Sequence, residues 1–218
     1  MILFLADNHY GTHPGRLLYE CIKDDYDIDF VEDDCSCLDA GNLRGQYQLL
    51  ILNMIGGCCD LPMPSAEAEA AMYAYVKGGG NLLLIHGGSA AFWQCDWWRP
   101  LVGFRWVRGD DTDGFAPSTH PVRPYTVTVA KCRHRLCGKL QEMDLPEDEI
   151  YINMEQTCPT VTLMETTTDE GTFPMCYEAM TPWGGGRILG YVPGHRADVV
   201  QHPHNVANCR VLVDDLLK

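Results

Sequence analysis

The sequence predicts an α/β fold, a parallel sheet covered by helices on both faces. Two observations carry this. Ile2–Ala6, Tyr47–Asn53 and Asn81–Ile85 are apolar runs of strand length, as strands buried on both faces are. Stretches with helical spacing alternate with them, which is the pattern of parallel sheets with crossover helices.

The elements follow in order. Ile2–Ala6 is the first strand, and Asp7–Pro14 is a polar loop with two histidines. Arg16–Lys23 places Leu17, Leu18, Cys21 and Ile22 at helical spacing. Tyr26–Val31 alternates polar and apolar residues and suits a strand closer to an edge. Ser65 is a helix N-cap, with Glu67 and Glu69 in the first turn, where carboxylates favour the helix dipole. That helix runs to about Lys77, and Gly78-Gly79-Gly80 ends it, because glycine tolerates the left-handed cap. The strand Asn81–Ile85 stops at His86-Gly87-Gly88-Ser89, and a short helical stretch is expected over Ala90–Trp93. The middle is less regular. Residues 104–131 suggest hairpin-type strands, clearest at Tyr125–Ala130, and residues 108–121 form a Gly/Asp/Pro-rich loop. Later strands are expected at Glu149–Ile152, Thr160–Glu165, Met175–Met180 and Arg187–Val192, with a closing helix over Asn205–Leu217. No repeat, low-complexity tract or linker divides the chain, so residues 1–218 read as one domain.

Composition narrows the function classes. A net charge of −14 repels phosphate backbones and anionic lipid, so nucleic acid and membranes are poor partners. The opening apolar run is only about five residues, against roughly 20 needed to span a bilayer, and it lacks a basic flank and a cleavage site. A cytoplasmic protein is expected. The 11 cysteines are then expected to stay reduced, and their spacing is not that of a zinc ribbon.

In open parallel sheets, ligands bind beyond the carboxyl ends of the strands. That rule gathers Asp7, Asn8, His9, His13, Asn53, His86 and His195, the last in Pro193-Gly194-His195, along one rim. The turn Leu84-Ile85-His86-Gly87-Gly88 is like a nucleophile elbow, where a sharp turn exposes one side chain and a following helix offers N–H groups to an anion. An imidazole there suits a general base or a metal ligand better than an acylated nucleophile. His195 is the second candidate. His9, His13 and the carboxylate pair Asp148-Glu149 come next, followed by His120 and His134. His202 and His204 flank Pro203 and read as surface residues. His9, His86 and His195 could hold a divalent metal such as zinc, although no HExxH spacing points to one. Trp93, Trp97, Trp98 and Trp183 could stack on sugar rings or simply pack a core. His9, Asn53, Trp93 and Trp183 are the expected substrate contacts.

Four segments, in order, carry a family resemblance. They are Tyr75 to Gly88 with its three glycines before the strand, His134 with Gly138, Asp148-Glu149-Ile150-Tyr151, and Pro182-Trp183-Gly184-Gly185-Gly186-Arg187-Ile188 through Gly194-His195. Together they resemble the ThuA-like, or trehalose-utilisation, family. The resemblance implies a flavodoxin-like, class I glutamine amidotransferase-like three-layer sandwich with a mainly parallel central sheet. It also implies that His86 replaces the amidotransferase cysteine, so glutaminase activity should be absent. His86, Glu149 and His195 are its implied catalytic residues, and a sugar (a disaccharide or keto-sugar) is its implied substrate. The expected protein is a sugar-directed hydrolase or lyase. The alternatives are a non-catalytic sugar-binding or assembly domain and a metal-dependent small-molecule hydrolase. Fold analogy leaves homo-oligomers open.

Overall fold

The computed structural model describes residues 1–218 apart from Ala40, Thr112 and Gly184. Thr112 falls in the 108–121 loop and Gly184 in the late glycine-rich segment, so those two positions of the sequence reading lie outside the described residues.

The first half of the chain runs β1 (Ile2–Ala6), α1 (Pro14–Ile22), β2 (Ile28–Glu32), α2 (Leu43–Gln46), β3 (Leu49–Asn53), α3 (Ala66–Lys77) and β4 (Asn81–Ile85). The second half adds β5 (Phe104–Arg105), β6 (Val122–Val129), β7 (Met143–Glu149), β8 (Glu155–Gln156), β9 (Thr160–Thr168), β10 (Gly171–Ala179), β11 (Ile188–Tyr191), α4 (Ala197–Val200) and α5 (Pro203–Leu216). Nine strands form one sheet in the order β2-β1-β3-β4-β11-β10-β9-β6-β7, and β5 and β8 pair separately. The pairings from β2 to β11 are parallel. Every pairing from β11 outward through β7 is antiparallel. The sheet is therefore mixed, with a parallel half that supplies the predicted rim.

The alternation of side chains along buried strands makes the three layers. Phe4, Ile51, Leu83 and Leu189 face one way and pack with Leu18 and Ile22 of α1 and Val206, Leu212 and Val213 of α5. Leu3, Leu5, Leu50, Leu52, Leu82 and Leu84 face the other way, onto Ala68, Met72, Tyr75 and Val76 of α3. Ser65 caps α3 as predicted, its hydroxyl accepting from the Ala68 N–H at 3.0 Å.

Three expectations are corrected. The strand expected at Glu149–Ile152 instead ends at Glu149 and begins at Met143. Its Pro146 and acidic residues give no strand signal, but β7 is the outermost strand, where proline and charge are tolerated. β10 starts at Gly171, four residues before the apolar run that marks it. After β4 comes a 3-10 turn over His86–Ala90, not a helix over Ala90–Trp93. The elbow therefore has no long helix behind it to offer its dipole.

The reason lies in the packing of the turn. A Cβ on Gly88 would lie 2.1 Å from the carbonyl oxygen of Leu52, so β3 and the turn touch backbone to backbone. Gly88→Ala must push the two apart. It is expected to destabilise the protein by about 1–3 kcal/mol, read as a melting temperature about 2–12 °C lower.

The sheet also curls. Five strand spacings of about 4.8 Å would put β7 roughly 24 Å from β4 in a flat sheet. Yet Glu149 at the end of β7 lies 3.2 Å from His86. The hairpin β6–β7 pairs with β9 at Thr128↔Glu165 and Val129↔Met164, near the end of β6, with a side-chain bond from Thr166 to the Thr126 carbonyl beside them. It folds over the α4–α5 side, where Tyr125, Val127, Met143 and Leu145 share a core with Val199, Val206 and Cys209.

Candidate functional site

Four elements deliver one cluster. His9 follows β1, His86 follows β4, Glu149 ends β7 and His195 follows β11. One donor atom from each lies within 4.8 Å of the others. The three imidazole rings form a triangle with centroids 5.0, 5.1 and 5.4 Å apart. His9 and His86 both adopt positive φ, +45° and +50°, a conformation rare in residues other than glycine and common at functional turns.

Each ring is held by its second nitrogen or by its backbone. His86 Nδ1 donates to the Val192 carbonyl oxygen at 2.9 Å, which turns Nε2 inward. There Nε2 meets the Tyr151 hydroxyl at 2.9 Å and a Glu149 carboxylate oxygen at 3.2 Å. His9 Nδ1 lies 3.3 Å from Asp7, whose other oxygen accepts from the Ile55 N–H at 2.7 Å. Asp148 is fully buried and accepts backbone N–H groups from Gly194, His195 and Arg196 at 3.0, 3.2 and 3.0 Å. That carboxylate fixes the loop that presents His195, whose own Nδ1 is buried without a partner.

The electrostatics follow from this enclosure. Burial opposes a charge on His86, but the hydrogen bond and charge of Glu149 outweigh it, and the pKa of His86 rises. Burial also pushes the Glu149 carboxyl up, but His86, His195 and His120 pull it down to about 2. For His195, burial wins over the attraction of Glu149, and its pKa falls.

The remaining predicted residues are placed as follows. Asn53 is buried and donates to the Ile85 carbonyl oxygen at 3.1 Å, tying the end of β3 to the residue before His86. His13 pairs with Glu32, and His134 with Glu178; neither joins the cluster. His204 bonds the Glu142 carbonyl, and its ring packs on His202. Trp93 is 43 % exposed, held by a bond from its ring nitrogen to the Gly56 carbonyl, with Arg108 over its face. Trp183 does not reach the rim. It precedes β11, which is parallel to β4, so it sits at the opposite sheet end, against Trp97 and Tyr73. Trp97 and Trp98 pack in the core layer on the α3 side.

The sequence placed Asp7 on the rim and Tyr151 in a family segment without giving either a role, and ranked His120 low. Tyr151 sits in the segment Asp148-Glu149-Ile150-Tyr151, and His120 Nδ1 reaches the outer oxygen of Glu149 at 3.0 Å. Trp106 packs against both Tyr151 and His120. The signal for Tyr151 was its spacing, two residues after Glu149, which puts both side chains on one side of an extended chain.

The fold is that of an amidotransferase-like α/β protein, with His86 at the turn after β4. The ThuA family model, described as trehalose utilisation, matches residues 8–209, and the chain belongs to that family. Among solved structures it is similar to a protein described as ThuA-like from Parabacteroides merdae, with a TM-score of 0.74 and 19 % identity over 96 % of this chain and 87 % of that one. A second protein described as ThuA-like, from Bacteroides uniformis, gives 0.70 and 14 % over 99 % and 91 %. A GMP synthase component from Thermoplasma acidophilum gives 0.54 and 13 % over 99 % and 94 %, a likeness of fold. No curated protein matches by sequence. Among the described residues, no helix is long and apolar enough to cross a membrane.

Proposed function

We propose that this chain binds a divalent cation, zinc by its donor chemistry, through His9, His86, Glu149 and His195, and acts there on a sugar or sugar derivative. The observation that carries the reading is the convergence of three imidazoles and one carboxylate within 4.8 Å. Two of the histidines have their second nitrogen anchored, one to a carbonyl and one to a carboxylate, as metal-ligating histidines do. The buried, unpartnered Nδ1 of His195 is a further sign that a ligand belongs there. A bound zinc ion supplies Lewis acidity and lowers the pKa of a coordinated water.

The chain's own residues supply the rest. Tyr151 can hold a proton at the inner edge of the cluster. Glu149 faces His86 on one oxygen and His120 on the other, so it joins the enclosed centre to the exposed His120. Trp106, packed against Tyr151 and His120, offers an aromatic ring to a sugar's C–H groups. The sugar class rests on family membership. With no thiol at position 86, the turn has no nucleophile for thioester chemistry, so glutamine hydrolysis is not the reaction proposed.

A second reading uses His86 and Glu149 as a proton-transfer pair without metal. It is favoured by the Tyr151 hydroxyl, which already occupies the His86 Nε2 position. Metal analysis decides between them. Protein purified without an affinity tag is expected to carry at least one zinc-class ion per chain and to lose activity in a panel of mono- and disaccharides on chelation. Full turnover by metal-free protein would leave only the second reading.

A further inference from the structure

A second cluster of ligating groups stands behind His9. Cys58 and Cys59 are adjacent in sequence, and their sulfurs lie 3.3 Å apart. One oxygen of the buried Asp7 joins them, with all three donor atoms within 4.8 Å of one another. The loop is shaped to keep the pair together. Cys59 takes φ of +57°, the Tyr10 N–H donates to its sulfur at 3.0 Å, and the Cys58 thiol donates to the Tyr10 hydroxyl at 3.2 Å. Cys59 is exposed and lines an open cavity of about 520 Å³ with Asn8, Tyr10, Gly11, His13, Asp33 and Asp60.

Two uses of the pair compete, and geometry separates them. Neighbouring Cα atoms are held about 3.8 Å apart across a trans peptide, below the usual 4.4–6.8 Å of a disulfide. The sulfurs are badly placed to bond to each other. Two Zn–S bonds of about 2.3 Å at a tetrahedral angle need sulfurs about 3.8 Å apart, so these thiols need separate by only about 0.5 Å. The surrounding Asp7, Asp33 and Asp60 favour a cation over an anion, and thiolate with carboxylate suits a thiophilic divalent ion.

We infer that Cys58, Cys59 and Asp7 form a second cation site, of thiophilic character, next to the histidine cluster. Asp7 is shared between the two, since it also orients His9. Occupancy of one site therefore acts on the other through a single carboxylate. The inference does not depend on the histidine cluster holding a metal.

The test is a cadmium titration of reduced, metal-free protein, following the thiolate-to-cadmium absorption band. Wild type is expected to show one saturable equivalent of this band. C58S/C59S should lose it or bind at least tenfold more weakly, with an unchanged melting temperature because the loop is exposed. C132S/C137S removes another close thiol pair as a control and should keep the band. H86A/H195A should also keep it, which separates this site from the histidine cluster. Equal band and affinity in wild type and C58S/C59S would overturn the inference, as would loss of the band in C132S/C137S with its retention in C58S/C59S.

Discussion

Asp148→Ala is expected to be the most destabilising single change at the site, by about 3–5 kcal/mol. Asp148 is fully buried and is the acceptor for three consecutive backbone N–H groups, those of Gly194, His195 and Arg196. Removing it leaves those donors without a partner in a poorly hydrated place, and each such loss costs about 1–3 kcal/mol. The three share one carboxylate, so their costs do not simply add. The loop then loses the geometry that presents His195, so cation uptake should fall together with stability. Asp148→Asn keeps one acceptor oxygen and should lie between the two. Urea denaturation midpoints for the three proteins check the order. An Asp148→Ala midpoint within error of wild type would show that the loop is held by something else.

His86→Ala is expected to leave the fold standing and empty the site. The ring is buried, but its polar contacts are few: the Val192 carbonyl, the Tyr151 hydroxyl and the Glu149 carboxylate. Zinc affinity should drop at least 100-fold, which is about 2.7 kcal/mol, and sugar turnover should fall to background. Tyr151→Phe removes one hydrogen bond to the same nitrogen and leaves every proposed ligand in place, so its affinity change should stay within about tenfold. Isothermal titration with zinc of metal-free protein carrying C58S/C59S, so that only the histidine cluster is read, measures both. Wild-type affinity and turnover in His86→Ala would take His86 out of the centre altogether.

The parallel half of the fold was legible because its strands are apolar runs with no competing pattern. The rim was legible for the same reason: once β1, β4 and β11 are placed, His9, His86 and His195 must lie at their carboxyl ends. The antiparallel half was harder to read. β7 carries Asp144, Pro146, Glu147 and Asp148, and only its outermost position in the sheet makes that composition acceptable for a strand. Trp183 was misplaced because an aromatic near a glycine-rich turn looks the same at either end of a sheet, and only the direction of β11 settles which end it occupies. The supporting role of Tyr151 was hidden because it depends on a contact over 65 positions of sequence, and Asp7, only two residues from His9, is itself held by a bond from Ile55 across 48 positions, which no local pattern reports.

The curl of the sheet has a consequence for how the molecule holds itself together. The β6–β7 hairpin pairs with β9 near one end, packs Tyr125, Val127, Met143 and Leu145 into the shared core, and reaches the histidines through Glu149 at the other. The centre is thus completed by a strand from the far edge of the sheet, so anything bound there bridges the two halves of the fold and is expected to raise the stability of both together.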